Sequence, residues 1–178
     1  MVAIVEAARA GRLAVDPVLL VSNKAGAPAL EAARSRGVPA KVIPTVADAK
    51  AADARLLAAM REAGAEWIVL SGYLRLLGPH LLAAYEERIL NIHPGPLPAF
   101  GGQGMYGARV HEAVIAAGVP ASEICIHLVD GEYDRGAVLA RRRVDIAPGE
   151  TAASLEARIR AMEPDFFVEA LQSLLPHQ

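Results

Sequence analysis

The sequence predicts an α/β protein in which helices cover both faces of a doubly wound, mostly parallel β-sheet. Short, unbroken apolar runs at residues 18–21 and 67–70 have the pattern of strands that are buried on both faces. Longer helical segments separate these runs, and such alternation indicates a parallel sheet with right-handed crossovers. Ligands of such sheets bind at the carboxyl ends of the strands, so we expect functional residues there.

The first half of the chain alternates regularly between helix and strand. Apolar periodicity predicts helices over residues 2–10, 29–36, 48–63 and 79–88. Strands are predicted over residues 18–21, 41–43, 67–70 and 89–93. Gly11, Gly37 and Gly64 follow three of the helices, in the position where glycine commonly ends a helix.

The pattern changes after His93. Residues 94–107 contain three prolines and five glycines and form the longest predicted loop. The elements that follow are a helix, two strands and a final helix, at residues 108–117, 123–129, 137–144 and from about 152. Thr151 is a suitable N-cap for the last helix. The sequence contains no internal repeat and no dividing linker, so we predict a single domain over residues 1–178.

Composition restricts the class of protein. The 178 residues are 53% hydrophobic and 21% charged, which suits one domain with a hydrophobic core and disfavours a disordered or fibrous chain. A net charge of −2 gives no reason to expect a nucleic-acid partner. Cys125 is the single cysteine, which excludes an intrachain disulfide, and no apolar run is long enough to cross a membrane. The N-terminus does not resemble a signal peptide, so we predict a cytoplasmic location.

Asn91 and His93 form the first candidate site. They lie at the end of a predicted strand, where residues two apart face the same side of a sheet. An asparagine can donate a hydrogen bond to a developing oxyanion, and a histidine can gain or lose a proton near neutral pH. From spacing alone, a polar strand end with a hydrogen-bonded structural histidine explains the pattern equally well.

The acidic loop at residues 130–136 is the second candidate. It carries Asp130, Glu132 and Asp134, which suit either a solvated turn or a cation site. No further acidic or histidine cluster has the spacing of metal ligands, so we predict no metal. In the functional interpretation, one carboxylate lies beside His93, favours its charged form and relays a proton.

His127, His111 and Cys125 are weaker candidates. His127 lies between apolar residues of a predicted strand and is expected to be a core histidine, and His111 lies on a helix. Cys125 shares a strand face with His127, but residues two apart on one strand are poorly placed to react as nucleophile and base. The glycines at 101–107 form no dinucleotide-binding fingerprint and suggest a flexible cover over a pocket.

Together these motifs resemble the folate-dependent formyltransferases over nearly the whole chain. The sequence N-I-H-P-G-P-L-P at residues 91–98 is similar to the family's N-I-H-P-x-L-L-P. Residues 127–136 resemble its H-x-V-D motif and acidic loop, and residues 100–107 resemble a bacterial branch that uses glycinamide ribonucleotide. The resemblance implies a Rossmann-like fold. It also implies formyl transfer from the co-substrate 10-formyltetrahydrofolate to the amine of that ribonucleotide, in purine biosynthesis.

The resemblance also implies roles for individual residues. Asn91, His93 and Asp134 match the catalytic trio, in which Asp134 raises the pKa of His93 and the other two stabilise an oxyanion. The folate-binding positions fall at Leu74, Arg75, Leu76, Leu77, Asn91 and Asp130. The substrate-binding positions fall at Gly72, Pro94 and Glu163. Residues 1–93 then form the nucleotide-substrate half and residues 94–178 the folate-binding and catalytic half, in a monomer or homodimer that binds small molecules, with no nucleic acid and no membrane.

The chain departs from the family pattern at its start. The family opens with a central strand and a phosphate-binding loop that ends in Gly-Ser-Asn, and Met1 falls just after that loop. We therefore expect additional unpaired strand edges. We expect that the start codon has been assigned downstream of the true one. If the chain is truly this short, phosphate binding would be compromised. In addition, Pro164 follows Glu163 where the family usually has histidine.

Several related activities are alternatives. Formyltetrahydrofolate deformylase uses the same trio for hydrolysis but adds an N-terminal regulatory domain. Methionyl-tRNA formyltransferase adds a C-terminal barrel, and sugar formyltransferases differ in the loop at 101–107. A folate-binding remnant without turnover is the alternative from another functional class. Measuring folate turnover with and without the ribonucleotide separates these possibilities.

Overall fold

Helices and strands alternate along the part of the chain that the computed structural model describes, residues 1–46 and 48–175. The helices are α1 (Val2–Arg9), α2 (Pro28–Arg34), α3 (Ala49–Glu62), α4 (Pro79–Ala84), α5 (Ala108–Ala116) and α6 (Ala152–Leu174). The strands are β1 (Leu20–Ser22), β2 (Ala40–Val42), β3 (Ile68–Leu70), β4 (Ile89–His93), β5 (Ala121–Leu128) and β6 (Val138–Asp145). The predicted α/β class is confirmed. The predicted domain of 1–178 also includes Ala47 and residues 176–178, which lie outside the described residues.

The described strands form two sheets. β1 and β2 pair in parallel. The second sheet has the order β3-β4-β5-β6, in which β3 and β4 are parallel but β5 runs antiparallel to both β4 and β6. The nine residues between β5 and β6 are too few for the crossover that parallel pairing requires, so these strands pair as a hairpin. Among the described residues, two separate sheets have two more strand edges than one continuous sheet would have.

β1 and β3 are less buried than their apolar sequences predicted. All residues of β1 are half-buried, and in β3 only Ile68 is buried. Within the described part of the chain each of these strands has a hydrogen-bonded neighbour on one side only. β4 is paired on both sides, and its residues Ile89 and Leu90 are 1% and 0% exposed. Burial therefore follows the pairing of each strand and not its hydrophobicity alone.

The start of α4 is fixed by a buried carboxylate. Asp53 of α3 is 2% exposed and accepts hydrogen bonds from the backbone amides of His80 and Leu81, at 2.9 and 3.0 Å. These bonds satisfy amides that a helix N-terminus otherwise leaves unpaired. The helix ends at Ala84, earlier than the predicted residue 88. Glu87 has a positive φ of 55°, which an α-helix does not allow.

The largest core cluster packs α5 and α6 against β5. Val110 and Val114 of α5, Leu155 of α6, and Ile124 and Ile126 of β5 are each 0% exposed. Burying one such side chain contributes about 1.5–3 kcal/mol. This cluster fixes the carboxyl end of β4 relative to α5.

The last helix begins at the cap that the sequence predicted. The Thr151 hydroxyl accepts a hydrogen bond from the Ser154 amide at 3.2 Å. A side-chain oxygen in this position satisfies one of the free amides of the first helical turn. No helix in residues 1–46 and 48–175 is both long enough and apolar enough to span a bilayer.

Candidate active site

Strand pairing brings Asn91 and His127 together. The two residues lie opposite each other on the antiparallel strands β4 and β5, and Asn91 Nδ2 is 3.0 Å from His127 Nε2. His127 Nδ1 donates to the carbonyl of Leu128 at 2.7 Å, and in this tautomer Nε2 accepts a hydrogen bond from Asn91. One amide hydrogen of Asn91 is thereby held by His127. The other amide hydrogen has no partner among the described residues and is available to a ligand.

His93 is the last residue of β4 and is 3% exposed. Its Nε2 donates to the carbonyl of Phe100 at 2.8 Å, and its Nδ1 lies 3.6 Å from Asp134 Oδ2. A carbonyl oxygen only accepts hydrogen bonds, so the proton on Nε2 is fixed. The second proton of the imidazolium therefore resides on Nδ1, the nitrogen that faces Asp134.

Asp134 connects the acidic loop to both histidines. Its backbone has a positive φ of 56°, a conformation that aspartate adopts more readily than most residues. Asp134 Oδ2 accepts a hydrogen bond from the Gly102 amide at 2.9 Å, and Oδ1 lies 3.4 Å from His127 Nε2. The structure thus brings this carboxylate next to His93. Asp130, by contrast, is exposed and accepts the Glu132 amide within its own loop.

The protonation of these groups is set by burial and by their neighbours. Burial lowers the pKa of His93, although the charge of Asp134 and the Phe100 carbonyl oppose this shift. The resemblance implied that Asp134 raises the pKa of His93, and the carboxylate does act in that direction, although the effect of burial is larger. Burial raises the pKa of Asp134, but the adjacent His127 ring and the hydrogen bond from the Gly102 amide outweigh that effect, so its pKa is lowered overall.

A cavity of about 530 Å³ opens beside these residues, which is within the usual size range of small-molecule sites. The predicted site residues that line it are Gly72, Leu74, Asn91, His93, Pro94, Asp134 and Glu163. The glycine-rich loop contributes residues 102–107, in agreement with the predicted position of a cover.

The other predicted folate-binding residues are not among the described residues that line this cavity. Arg75 and Leu76 are exposed, as is Asp130. Leu77 is 9% exposed and packs in the core around α3 and α4.

Two glycines allow the loop after β4 to approach the site closely. A Cβ on Gly95 would lie 2.4 Å from Val110 Cγ1 and 3.4 Å from His93 Nε2. A Cβ on Gly101 would lie 2.3 Å from Leu97 Cδ2 and 2.9 Å from Asp134 Cβ. Real Cβ atoms essentially never make contacts below 3.0 Å, so a side chain at either position would displace Val110, Leu97 or Asp134.

Sequence reasoning missed two histidines. His127 was expected to be only a core residue; it is 2% exposed, but it contacts both Asn91 and Asp134. His111 of α5 is 2% exposed and lines the cavity, and its Nδ1 has no hydrogen-bond partner among the described residues. The H-x-V-D motif could have indicated His127. The apolar pattern around His111 gives no signal.

The charged lining of the cavity comes mainly from α5 and α6. Arg109 of α5, together with Glu156, Arg160 and Glu163 of α6, faces the space next to His93. Burial raises the pKa of Glu163, although Arg160 opposes this effect. Among residues 1–46 and 48–175 there is no group of three or more histidine, cysteine, aspartate or glutamate residues that could hold a metal ion.

The fold and the site define an α/β protein with asparagine, histidine and aspartate gathered at the carboxyl end of a central strand. The chain belongs to the formyl transferase family, whose model matches residues 1–171. It is 39% identical over 171 residues to the chloroplastic phosphoribosylglycinamide formyltransferase of Vigna unguiculata, a match covering 95% of this chain and 55% of that protein. The chain thus spans about half the length of the curated plant relatives it matches.

Solved structures give the same relationship. Glycinamide ribonucleotide transformylase 1 from Geobacillus kaustophilus is 40% identical, with a TM-score of 0.87 over 98% of this chain and 91% of that one. Phosphoribosylglycinamide formyltransferase from Bacillus halodurans is 33% identical, with a TM-score of 0.88 over 97% of this chain and 88% of that one. The Rossmann-like fold expected from the sequence is therefore confirmed.

Proposed function

We propose that the chain transfers a formyl group from 10-formyltetrahydrofolate to the amine of glycinamide ribonucleotide. The observation that carries this proposal is the convergence of Asn91, His93 and Asp134 on one cavity in a member of the formyl transferase family. A donor amide, an imidazole and a carboxylate around one space are the groups that acyl transfer to an amine requires.

In the proposed reaction the amine nitrogen attacks the formyl carbon, and the carbonyl electrons move to oxygen to give a tetrahedral oxyanion. The second amide hydrogen of Asn91 donates to this oxyanion, and Nδ1 of His93 donates to it when that nitrogen carries a proton. Collapse of the intermediate breaks the bond between the formyl carbon and N10 of the folate. The amine loses one proton and N10 gains one, so the protons balance.

In this proposal Asp134 favours the protonated form of His93. Its pKa is lowered overall, with burial opposed by the adjacent His127 ring and by the hydrogen bond from the Gly102 amide, so it is a carboxylate at neutral pH. Because it faces Nδ1 of His93 at 3.6 Å, it stabilises the imidazolium when that nitrogen gains a proton. Burial alone disfavours the imidazolium, so the carboxylate limits how far the pKa of His93 falls.

The two substrates are assigned to different sets of residues around the reacting groups. The positions proposed for the folate are Leu74, Arg75, Leu76, Leu77, Asn91 and Asp130, of which Leu74 and Asn91 line the cavity. The positions proposed for the ribonucleotide are Gly72, Pro94 and Glu163, and all three line it. The half-buried Glu163 is suited to accept a hydrogen bond from the substrate amine. The division into halves at residue 93, the cytoplasmic location and the monomeric or homodimeric state remain predictions from the sequence.

The proposal is tested by supplying the purified chain with 10-formyltetrahydrofolate in the presence and absence of glycinamide ribonucleotide. The proposal expects tetrahydrofolate to form only when the ribonucleotide is present. Turnover without the acceptor would indicate a deformylase instead. Folate binding without turnover in either case would indicate a binding remnant, and the variant His93→Asn provides the background rate.

A further inference from the structure

Three residues of neighbouring strands form a row beneath the loop that follows β4. His93 of β4 lies opposite Cys125 of β5, and Cys125 lies opposite Arg141 of β6. Directly opposed residues of an antiparallel sheet project from the same face. The side chains of His93, Cys125 and Arg141 therefore share one face of the sheet, with the imidazole at one end of the row and the guanidinium at the other.

The loop packs over this row through two of its carbonyl groups. The Phe100 carbonyl accepts from His93 Nε2 at 2.8 Å, and the Leu97 carbonyl accepts from Arg141 at 3.0 Å. The Phe100 amide donates to the Pro96 carbonyl at 2.8 Å, which closes the segment between them into a turn. This bond connects the two ends of the segment, so we expect a displacement of Leu97 to displace the Phe100 carbonyl as well.

Arg141 is itself held in place. One of its terminal nitrogens lies 2.6 Å from Glu123 Oε2 and 3.6 Å from Cys125 Sγ, while the other donates to Leu97. The planar guanidinium can make these contacts at the same time because its donors point in fixed directions. A lysine ammonium would reach either the carboxylate or the carbonyl with less directional control.

We propose that Arg141 is a positioning residue for His93: by anchoring the Leu97 carbonyl, it fixes the Phe100 carbonyl that determines which imidazole nitrogen faces Asp134. Arg141 does not line the cavity among the described residues, so it acts through the loop and not on the substrate. Only the expected effect of Arg141 on turnover rests on the proposed function. The effect of Arg141 on His93 is measurable without any substrate.

The test compares Arg141→Met, Arg141→Lys and Glu123→Gln with the control Arg143→Met. Arg143 is on the same strand but pairs with Asp145 of that strand and is 64% exposed. The pKa of His93 is followed by NMR titration of the imidazole, assigned with His93→Asn. Amide hydrogen exchange at Gly102, which donates to Asp134, reports the order of the loop.

Arg141→Met is expected to lower the pKa of His93 and to speed exchange at Gly102, because the Phe100 carbonyl no longer holds Nε2. It should reduce kcat about tenfold to a hundredfold, as expected for a misplaced reacting group, with KM within about threefold. Arg141→Lys and Glu123→Gln should show smaller changes in the same direction, and Arg143→Met should show none.

An unchanged His93 pKa and unchanged exchange at Gly102 in all Arg141 and Glu123 variants would overturn the inference. If Arg141→Met fails to fold, the lysine and glutamine variants decide the question. If the wild-type chain shows no formyl transfer, the proposed function fails, but the titration and exchange data still decide the role of Arg141.

Discussion

Asn91 and His127 lie opposite each other on antiparallel strands, and the Asn91 amide nitrogen is 3.0 Å from His127 Nε2. This pairing restricts how the Asn91 side chain can turn. It also places His127 within 3.4 Å of Asp134, so one buried imidazole contacts two members of the proposed catalytic trio. The histidine that sequence reasoning treated as a core residue therefore supports the geometry of the site.

Replacing His127 should impair turnover more than substrate binding. His127→Leu removes the partner of Asn91, so the amide is free to rotate away from the oxyanion. We expect kcat to fall roughly tenfold to a hundredfold, because the substitution removes the alignment of the Asn91 donor and not the donor itself. In the Asn91→Ala background, His127→Leu should reduce kcat by less than it does in the wild-type chain. Full additivity of the two effects would contradict this coupling.

Removing the charge of Asp134 should lower the pKa of His93 further. The carboxylate is the main neighbour that opposes the effect of burial on the imidazole, so Asp134→Asn leaves burial less opposed. NMR titration should show the lower pKa directly, and kcat should fall about a hundredfold to ten-thousandfold. An unchanged His93 pKa would show that the two groups do not interact at 3.6 Å.

A methyl group at Gly101 should disturb Asp134, because a Cβ there would lie 2.9 Å from Asp134 Cβ and 2.3 Å from Leu97 Cδ2. We expect Gly101→Ala to reduce kcat and to lower the free energy of unfolding by about 1–3 kcal/mol. Gly131→Ala is the matched control, since nothing lies within 4 Å of a Cβ at that position. Equal activity and stability in the two variants would contradict the close packing of the loop.

The stability of the fold should depend on the protonation of His111. Burial lowers the pKa of His111 below 6.5, so in the window between the lowered pKa and 6.5 the unfolded chain binds more protons than the folded chain. The free energy of unfolding should therefore fall as the pH drops through that window. His93 contributes with the same sign.

Urea unfolding of His111→Leu at several pH values checks this relationship. Below pH 6.5 the unfolding free energy should depend less steeply on pH in the variant than in the wild-type chain. The difference in slope should be up to about 1.4 kcal/mol per pH unit, which is the contribution of one proton. Glu112→Gln, an exposed change on the same helix, should keep the wild-type slope. A wild-type slope in His111→Leu would show that this histidine does not titrate differently in the folded and unfolded states.

Much of the fold follows from local sequence patterns. Alternating apolar runs and helical segments predicted the α/β class, and Thr151 predicted the start of α6. Asn91 and His93 could be placed on one strand face because they are two residues apart. The antiparallel direction of β5 could not be derived, since it depends on packing between segments that are distant in the chain.

Contacts between residues that are distant in sequence could not be predicted from the spacing of residues along the chain. The sequence could suggest a carboxylate near His93, but it could not show that Asp134 faces Nδ1 or that Phe100 holds Nε2. The net pKa of His93 also depends on burial, which outweighs the carboxylate. The bond between Asp53 and the amides that begin α4 connects residues far apart in sequence and gives no local signal.

The most direct test of the central claim is to follow an isotopically labelled formyl group from 10-formyltetrahydrofolate. The proposed function predicts that the label appears on the amine of glycinamide ribonucleotide in a one-to-one ratio with tetrahydrofolate, and that His93→Asn abolishes this transfer. Labelled formate released at the same rate with and without the ribonucleotide, or transfer that is unaffected in His93→Asn, would contradict it.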